Sequence, residues 1–257
     1  MFIERPPWFY RKLFPGSVWR LPAEEPCVYI TFDDGPNAAT TPRLLRLLDQ
    51  LAVPATFFCV GDNVRRYPEA YRAILASGHT VGNHTYHHIR GFRLPASDYM
   101  ADVRLAAKLI DSSLFRPPHG RLSPAQQTSL RAAGYRLIMF DVVTRDYSPR
   151  LTPDDVFHNA TRYARNGSLI VFHDSPKAAP RMFDALPRAE TATVMVQAEV
   201  ADRLAAAPGS RTYGAPSAKV AWYSDARRGA KIGRSVFWPV PNVDSALVSF
   251  IRHPPPS

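Results

Sequence analysis

Between residues 26 and 188, short β-branched and aromatic runs alternate with longer stretches whose apolar positions recur every three to four residues. The short runs predict strands over 28–32, 55–60, 79–83, 114–116, 136–142 and 168–173. The longer stretches predict helices over 41–51, 68–77, 97–112, 123–133 and 152–166. Thr41-Pro42, Ser123-Pro124 and Thr152-Pro153 each supply a capping residue and then a proline, whose missing N–H is harmless in a first helical turn. Ser97 is read as the cap of a further helix. Gly78, Gly134 and Gly167 follow three of the helices and suit their C-terminal ends. Strand–helix repetition of this kind implies a parallel sheet, either a barrel or a doubly wound one. In a barrel, chemistry gathers at the C-terminal ends of the strands.

The polar residues that stand out occur at those ends. Asp33 and Asp34 follow the first strand, and His84 and His88 follow the third. Arg116 ends the fourth, Asp146 follows the fifth and His173 ends the sixth.

Composition narrows the class of molecule. The chain has 257 residues, 46% of them hydrophobic and 21% charged, enough for a packed α/β core. The formal net charge is +10, but no block of like charges forms a tail or stripe. Dedicated nucleic-acid binding is therefore not indicated, and a basic surface equally suits an anionic cell-wall polymer. No run approaches the roughly 20 apolar residues of a membrane span. Charges and prolines interrupt the first twenty residues, which lack the apolar core of a secretory signal. The chain as given reads as cytoplasmic, or as a mature form. Trp8, Phe9, Tyr10, Phe14 and Trp19 read as an aromatic strap over the first strand. Cys27 and Cys59 lie in β-rich runs and read as buried free thiols.

The chemistry follows from residue types and spacing. Asp33-Asp34-Gly35-Pro36 places two carboxylates at a tight turn. Neighbouring side chains of an extended segment point opposite ways, so the two take different jobs: one to ligate a metal, the other to face a water. In His84-Thr85-Tyr86-His87-His88, the first and last histidines are four apart and share a face on a helical turn. With Asp34 they form the two-nitrogen, one-oxygen set of a catalytic zinc with open positions. Such a zinc acidifies bound water and polarises a carbonyl. Arg116 precedes a stiff Pro117-Pro118-His119-Gly120 loop. Its guanidinium suits a carboxylate such as Asp33, and the loop offers a backbone N–H to an oxyanion. His173 ends a buried strand, where an imidazole can protonate a leaving amine. Val171 and Phe172 suit a pocket for a methyl group.

Five segments, in this order, resemble the polysaccharide deacetylase family, which includes chitin and peptidoglycan deacetylases. They are Thr31-Phe32-Asp33-Asp34-Gly35-Pro36, His84-Thr85-Tyr86-His87-His88, Arg116-Pro117-Pro118-His119-Gly120, residues 141–147 and Val171-Phe172-His173-Asp174. The resemblance covers about residues 1–188. It implies a distorted, incomplete (β/α) barrel and a hydrolase that releases acetate from an N-acetylated amino-sugar polymer or oligomer. It further implies Asp34, His84 and His88 as ligands of a divalent metal, usually Zn2+, with Asp33 as general base. Arg116 would orient Asp33, Asp146 would support the acid His173, and the His119 N–H would face the tetrahedral intermediate. Tyr147 stands where many members have Trp, Val143 where many have a further Asp, and His119 where Tyr or Phe is common.

Character changes after Arg188. Residues 195–204, Tyr213-Gly214 and residues 237–248 resemble a fragment of the ribosomal RNA adenine dimethyltransferases. The glycine-rich loop for S-adenosylmethionine and the Asn-Leu-Pro-Tyr type motif are absent from it. A non-catalytic segment over 189–257, appended to a deacetylase domain over 1–188, is the resulting expectation. An incomplete barrel leaves an unpaired strand edge. Residues 193–196 are expected to pair there as a closing strand, with the rest of the segment loosely packed. Two other readings remain. A non-catalytic carbohydrate-binding protein would keep its sugar affinity after metal stripping. An RNA-binding fusion would show salt-dependent RNA affinity lost with residues 189–257.

Overall fold

A computed structural model describes residues 4–22, 27–51, 53–188, 191–232 and 245–252. The chain divides into two compact units, Met1–Leu186 and Pro187–Ser257.

The first unit opens with a short helix, α1 (Trp8–Lys12). There follow β1 (Val28–Asp33), α2 (Thr41–Gln50), β2 (Thr56–Cys59), α3 (Gly61–Arg66), α4 (Pro68–Ala76), β3 (Thr80–Asn83), α5 (Ala96–Ala107), β4 (Leu114–Phe115) and α6 (Pro124–Ala132). It continues with β5 (Arg136–Leu137), β6 (Val142–Val143), α7 (Pro153–Arg162), β7 (Ser168–His173) and α8 (Ala179–Ala185). Seven strands form one sheet in the order β5-β4-β3-β2-β1-β7-β6, and every pairing is parallel. The expected α/β architecture is present as a curled parallel sheet.

Local chemistry accounts for the helices. Ser123 accepts from Gln126 N while the Gln126 side chain answers the Ser123 N–H; Thr152 and Asp155 repeat this box on α7. α2 buries Leu44, Leu45 and Leu48 along one face. They join a core around Phe32, whose ring lies 5.1 Å from Phe57 and 5.9 Å from Phe172. A second core gathers Tyr99, Phe115, Leu130, Leu137 and Met139.

Several expectations are corrected. The run over 136–142 is two strands, because Arg136–Leu137 pairs with β4 and Val142–Val143 with β7, at opposite ends of the sheet. Residues 138–141 cross between those ends. Val18 sits on this crossing: its N–H donates to Leu137 O at 2.8 Å and its carbonyl accepts from Met139 N at 2.7 Å. The aromatic strap is partial. Tyr10, Phe14 and Trp19 pack together and Trp19 reaches Phe140 at 6.2 Å, whereas Trp8 and Phe9 are exposed. Cys59 is buried, but Cys27 is exposed ahead of its strand; both are free.

The second unit contains β8 (Thr191–Gln197), α9 (Ala198–Leu204), α10 (Ala215–Tyr223), β9 (Ser224–Ile232) and β10 (Ser245–Arg252). Its three strands form an antiparallel sheet in the order β8-β10-β9. Residues 193–196 thus pair with Ser249, Val248, Leu247 and Ala246 of β10 and do not extend the seven-stranded sheet. Their partner β10 lies far along the chain but within the same compact unit. Residues 237–244 of the second resemblance lie outside the described residues.

Candidate metal centre and active site

The C-terminal ends of β1, β3 and β7 meet at a cavity of about 230 Å³. Asp33 and Asp34 leave β1 there. Asp33 keeps the strand direction, while Asp34 takes a φ of 75°, so the chain turns between them and the two carboxylates diverge. Gly35 follows because nothing larger fits: a Cβ there would lie 2.4 Å from Asp174 Oδ2. The buried Asp174 in turn accepts from Thr41 Oγ1 at 2.6 Å and from Thr40 Oγ1, and it anchors the loop before α2. Burial pushes the Asp174 carboxyl up to about 6 despite the hydrogen bonds from Thr40 and Thr41.

His84 and His88 converge, though not on a helical turn as expected. Residues 84–90 form no helix, and Thr85 and His88 take left-handed φ values of 64° and 54°. Asn83 supports this loop by accepting from Thr85 N at 2.8 Å. The imidazole centroids lie 5.1 Å apart. Asp34 Oδ1 is 3.7 Å from His84 Nε2 and 3.1 Å from His88 Nε2, and the three ligand atoms all lie within 4.8 Å of one another.

This donor set fits a divalent cation. Three tetrahedral ligands about 2.0–2.1 Å from a zinc sit roughly 3.3 Å apart, close to the two separations from Asp34 Oδ1. His84 Nδ1 lies 2.7 Å from the Arg116 carbonyl oxygen, which can only accept, so Nδ1 carries the proton and Nε2 offers its lone pair. Burial drives the His84 pKa down to about 4, which keeps the ring neutral and able to ligate. Burial would raise the Asp34 carboxyl, but the His88 hydrogen bond and then the neighbouring His173 imidazole hold it well below the usual carboxylate range.

Asp33 faces Arg116. The guanidinium is completely buried and its Nη1 donates to Asp33 Oδ1 at 2.8 Å and to Thr31 Oγ1 at 2.7 Å. Nε and Nη2 donate to Ile138 O and Met139 O at 3.2 and 2.9 Å, and the group stacks 4.1 Å over the Phe58 ring. His173 is held similarly. Asp146, also buried, accepts from the His173 backbone N–H at 2.8 Å and sits 2.7 Å from Nδ1. Burial lowers the imidazole pKa, but the Asp146 charge and hydrogen bond, with Asp34 and Asp33 beyond, lift it to about 9.

The cavity is lined by Asp33, Asp34, His84, His88, His119 and His173 on its polar side. His119, at a φ of 58°, places its ring 4.8 Å from that of His88. The apolar side is Phe140, Val143, Tyr147 and Val171. Arg116 and Asp146 stand behind Asp33 and His173. Phe172 is the exception among the expected residues: it points to the opposite face of β7 and packs against Phe32. Strand alternation explains this, since Val171 and His173 share one face and Phe172 takes the other. Phe140 and Lys177 also line the cavity and were not foreseen. For Phe140 the signal was its place on the 136–143 run that serves both sheet ends.

Comparison with known proteins agrees with this fold. The family model for polysaccharide deacetylase matches residues 20–138, and that for ribosomal RNA adenine dimethylase matches 158–257. The second match begins inside α7, although α7, β7 and α8 fold with the first unit. A peptidoglycan-N-acetylglucosamine deacetylase of Bacillus cereus is 31% identical over 164 residues, 61% of this chain and 76% of that protein. A solved peptidoglycan N-acetylglucosamine deacetylase superposes with a TM-score of 0.63 at 26% identity, covering 70% of this chain and 86% of the other. A family 4 carbohydrate esterase from Streptomyces lividans, solved with acetate, gives 0.56 at 28% identity over 63% and 87%. The ribosomal RNA small subunit methyltransferase A of Thermobifida fusca is 65% identical over 75 residues, 29% of this chain. The chain spans 26% of that methyltransferase's length. By its first unit, with a partial methyltransferase-like segment after it, this chain belongs to the polysaccharide deacetylase family.

Proposed function

We propose that the protein is a divalent-metal-dependent hydrolase that removes acetyl groups from an N-acetylated amino-sugar polymer or oligomer, of the chitooligosaccharide or peptidoglycan kind. The observation that carries this reading is the meeting of three ligand atoms with a buried Asp–Arg pair and a His173–Asp146 pair, its carboxylate buried, around one cavity. Asp34, His84 and His88 would hold the cation, Zn2+ by the donor set. When bound, it supplies a Lewis acid that polarises an amide carbonyl and makes a water more acidic.

The chain's own residues do the rest. Asp33 accepts the proton of the attacking water, and Arg116 fixes which oxygen faces the cavity. The His119 N–H stabilises the oxyanion that develops as the carbonyl carbon becomes tetrahedral. His173 keeps Nδ1 on Asp146 and gives the proton on Nε2 to the departing sugar nitrogen, so that it leaves as an amine. Phe140, Val143, Tyr147 and Val171 enclose the acetyl methyl. One proton enters Asp33 and one leaves His173, which balances hydrolysis.

The test is acetate release from N-acetylglucosamine oligomers, with and without zinc after chelator stripping. Metal-dependent release, abolished by Asp33→Asn and by His84→Ala, is expected. Turnover surviving either substitution removes the mechanism. Sugar binding without any acetate release favours a non-catalytic carbohydrate-binding protein instead.

A further inference from the structure

A second cavity, of about 480 Å³, adjoins the first and shares His119 with it. Its walls are residues 90–93 on one side and Pro118, His119 and Arg121 on the other. Three of its side chains are guanidiniums: Arg90, Arg93 and Arg121. None has an ion-pair or hydrogen-bond partner among the described residues. Most other arginines near the site are paired or capped, as Arg11 and Arg165 are with Asp141 and Arg145 is with Glu4. Phe92, 59% exposed, adds a flat apolar surface to the same wall.

The backbone that presents these groups is fixed. Gln126 is buried and its Nε2 donates to Gly91 O at 2.6 Å and to Leu94 O at 2.9 Å. Gly91 packs so closely on Tyr99 that a Cβ would lie 2.3 Å from the ring. On the facing wall, Tyr10 Oη donates to Gly120 O beside Arg121. Three unpaired forks around one cavity concentrate positive charge where a guanidinium can grip a carboxylate in a bidentate manner.

The geometry points to a subsite in which Arg90, Arg93 and Arg121 bind a carboxylate on the sugar next to the one being deacetylated, while Phe92 stacks on its ring. This rests on the deacetylase reading above and narrows its substrate to an anionic glycan rather than a neutral one.

Two probes of equal length decide it on the full zinc-loaded chain. One is the neutral N-acetylglucosamine tetrasaccharide. The other is a peptidoglycan-derived tetrasaccharide in which alternate sugars carry a lactyl carboxylate. Calorimetry gives Kd and acetate release gives kcat/KM for both. The expected preference for the anionic probe is about tenfold or more in Kd, roughly 1.4 kcal/mol. It is expected to shrink as salt is raised from 0.05 to 0.5 M. The triple variant R90Q/R93Q/R121Q, and R90Q or R121Q singly should the triple fold poorly, is expected to lose the preference while handling the neutral probe as before. Equal Kd values for the two probes, or a preference untouched by the substitutions, overturns the subsite even if acetate is released from both. An Arg-dependent preference in binding without acetate release upholds the subsite and removes the enzymatic reading.

Discussion

The carbonyl oxygen of Arg116 lies 2.7 Å from His84 Nδ1, and the guanidinium of the same residue holds Asp33 Oδ1 at 2.8 Å. One residue thereby sets the tautomer of a metal ligand with its backbone and the orientation of the proposed base with its side chain. Replacing the side chain leaves the first link and breaks the second.

Arg116→Met is therefore expected to retain the His84 contact but strand Asp33, whose side chain is only 8% exposed. Removing one partner of a buried ion pair costs about 3–5 kcal/mol. Urea denaturation at pH 7 measures it, and a loss below about 1 kcal/mol would contradict the pairing. Zinc binding by calorimetry should weaken far less than in His84→Ala, which removes a ligand outright.

Asp146→Asn tests the pair behind the proposed acid. In metal-free protein His173 is expected to titrate near pH 9, followed by NMR of its imidazole signals. Without the Asp146 charge, burial dominates and the value falls to 6.5 or below. The sign for stability follows. A histidine whose folded pKa is raised contributes fully below about 6.5 and loses that contribution as pH climbs through 9. Wild-type stability should thus decline between pH 7 and 9, and the variant should lack that decline. If His173 itself supplies the proton, kcat should also fall by about 10²–10⁴-fold.

Gly35→Ala probes the loop that turns Asp34 toward the histidines. The new methyl would meet Asp174 Oδ2 at 2.4 Å. Overpacking of this sort costs typically about 1–3 kcal/mol. The expected result is that loss in urea denaturation, with a weakened zinc affinity because the turn carries a ligand.

All seven strands of the parallel sheet and every residue of the proposed centre fall within Met1–Leu186. A chain ending at residue 188 is expected to bind zinc with the same stoichiometry and to release acetate at an unchanged kcat/KM. A chain of 1–188 that fails to bind zinc shows that the second unit supports the first.

Much of the site could be read in the sequence because its chemistry is local. Asp33-Asp34, His84 with His88, Arg116 and His173 each follow a strand run, and parallel strands deliver such residues to one rim. What escaped the sequence depended on contacts distant along the chain. The histidines meet through left-handed backbone at Thr85 and His88, which no spacing rule announces. Phe172 is the exception, since the parity that sets it opposite Val171 and His173 on β7 is a local rule. The split of 136–142 is set by two different partners, β4 and β7, that lie far apart in sequence. Residues 193–196 found an antiparallel partner in β10, whose run closes the second unit.

The crossing between β5 and β6 has a consequence for how the protein fails. Ile138 and Met139 lie on that crossing, and their carbonyls are the two that grip Arg116. The seam between the two ends of the curled sheet and the brace of the proposed base are thus a single strip of backbone. If the seam parts, as an edge does before a centre, Asp33 swings free while the rest of the sheet is still intact. Gentle heating should silence this molecule well before it unravels.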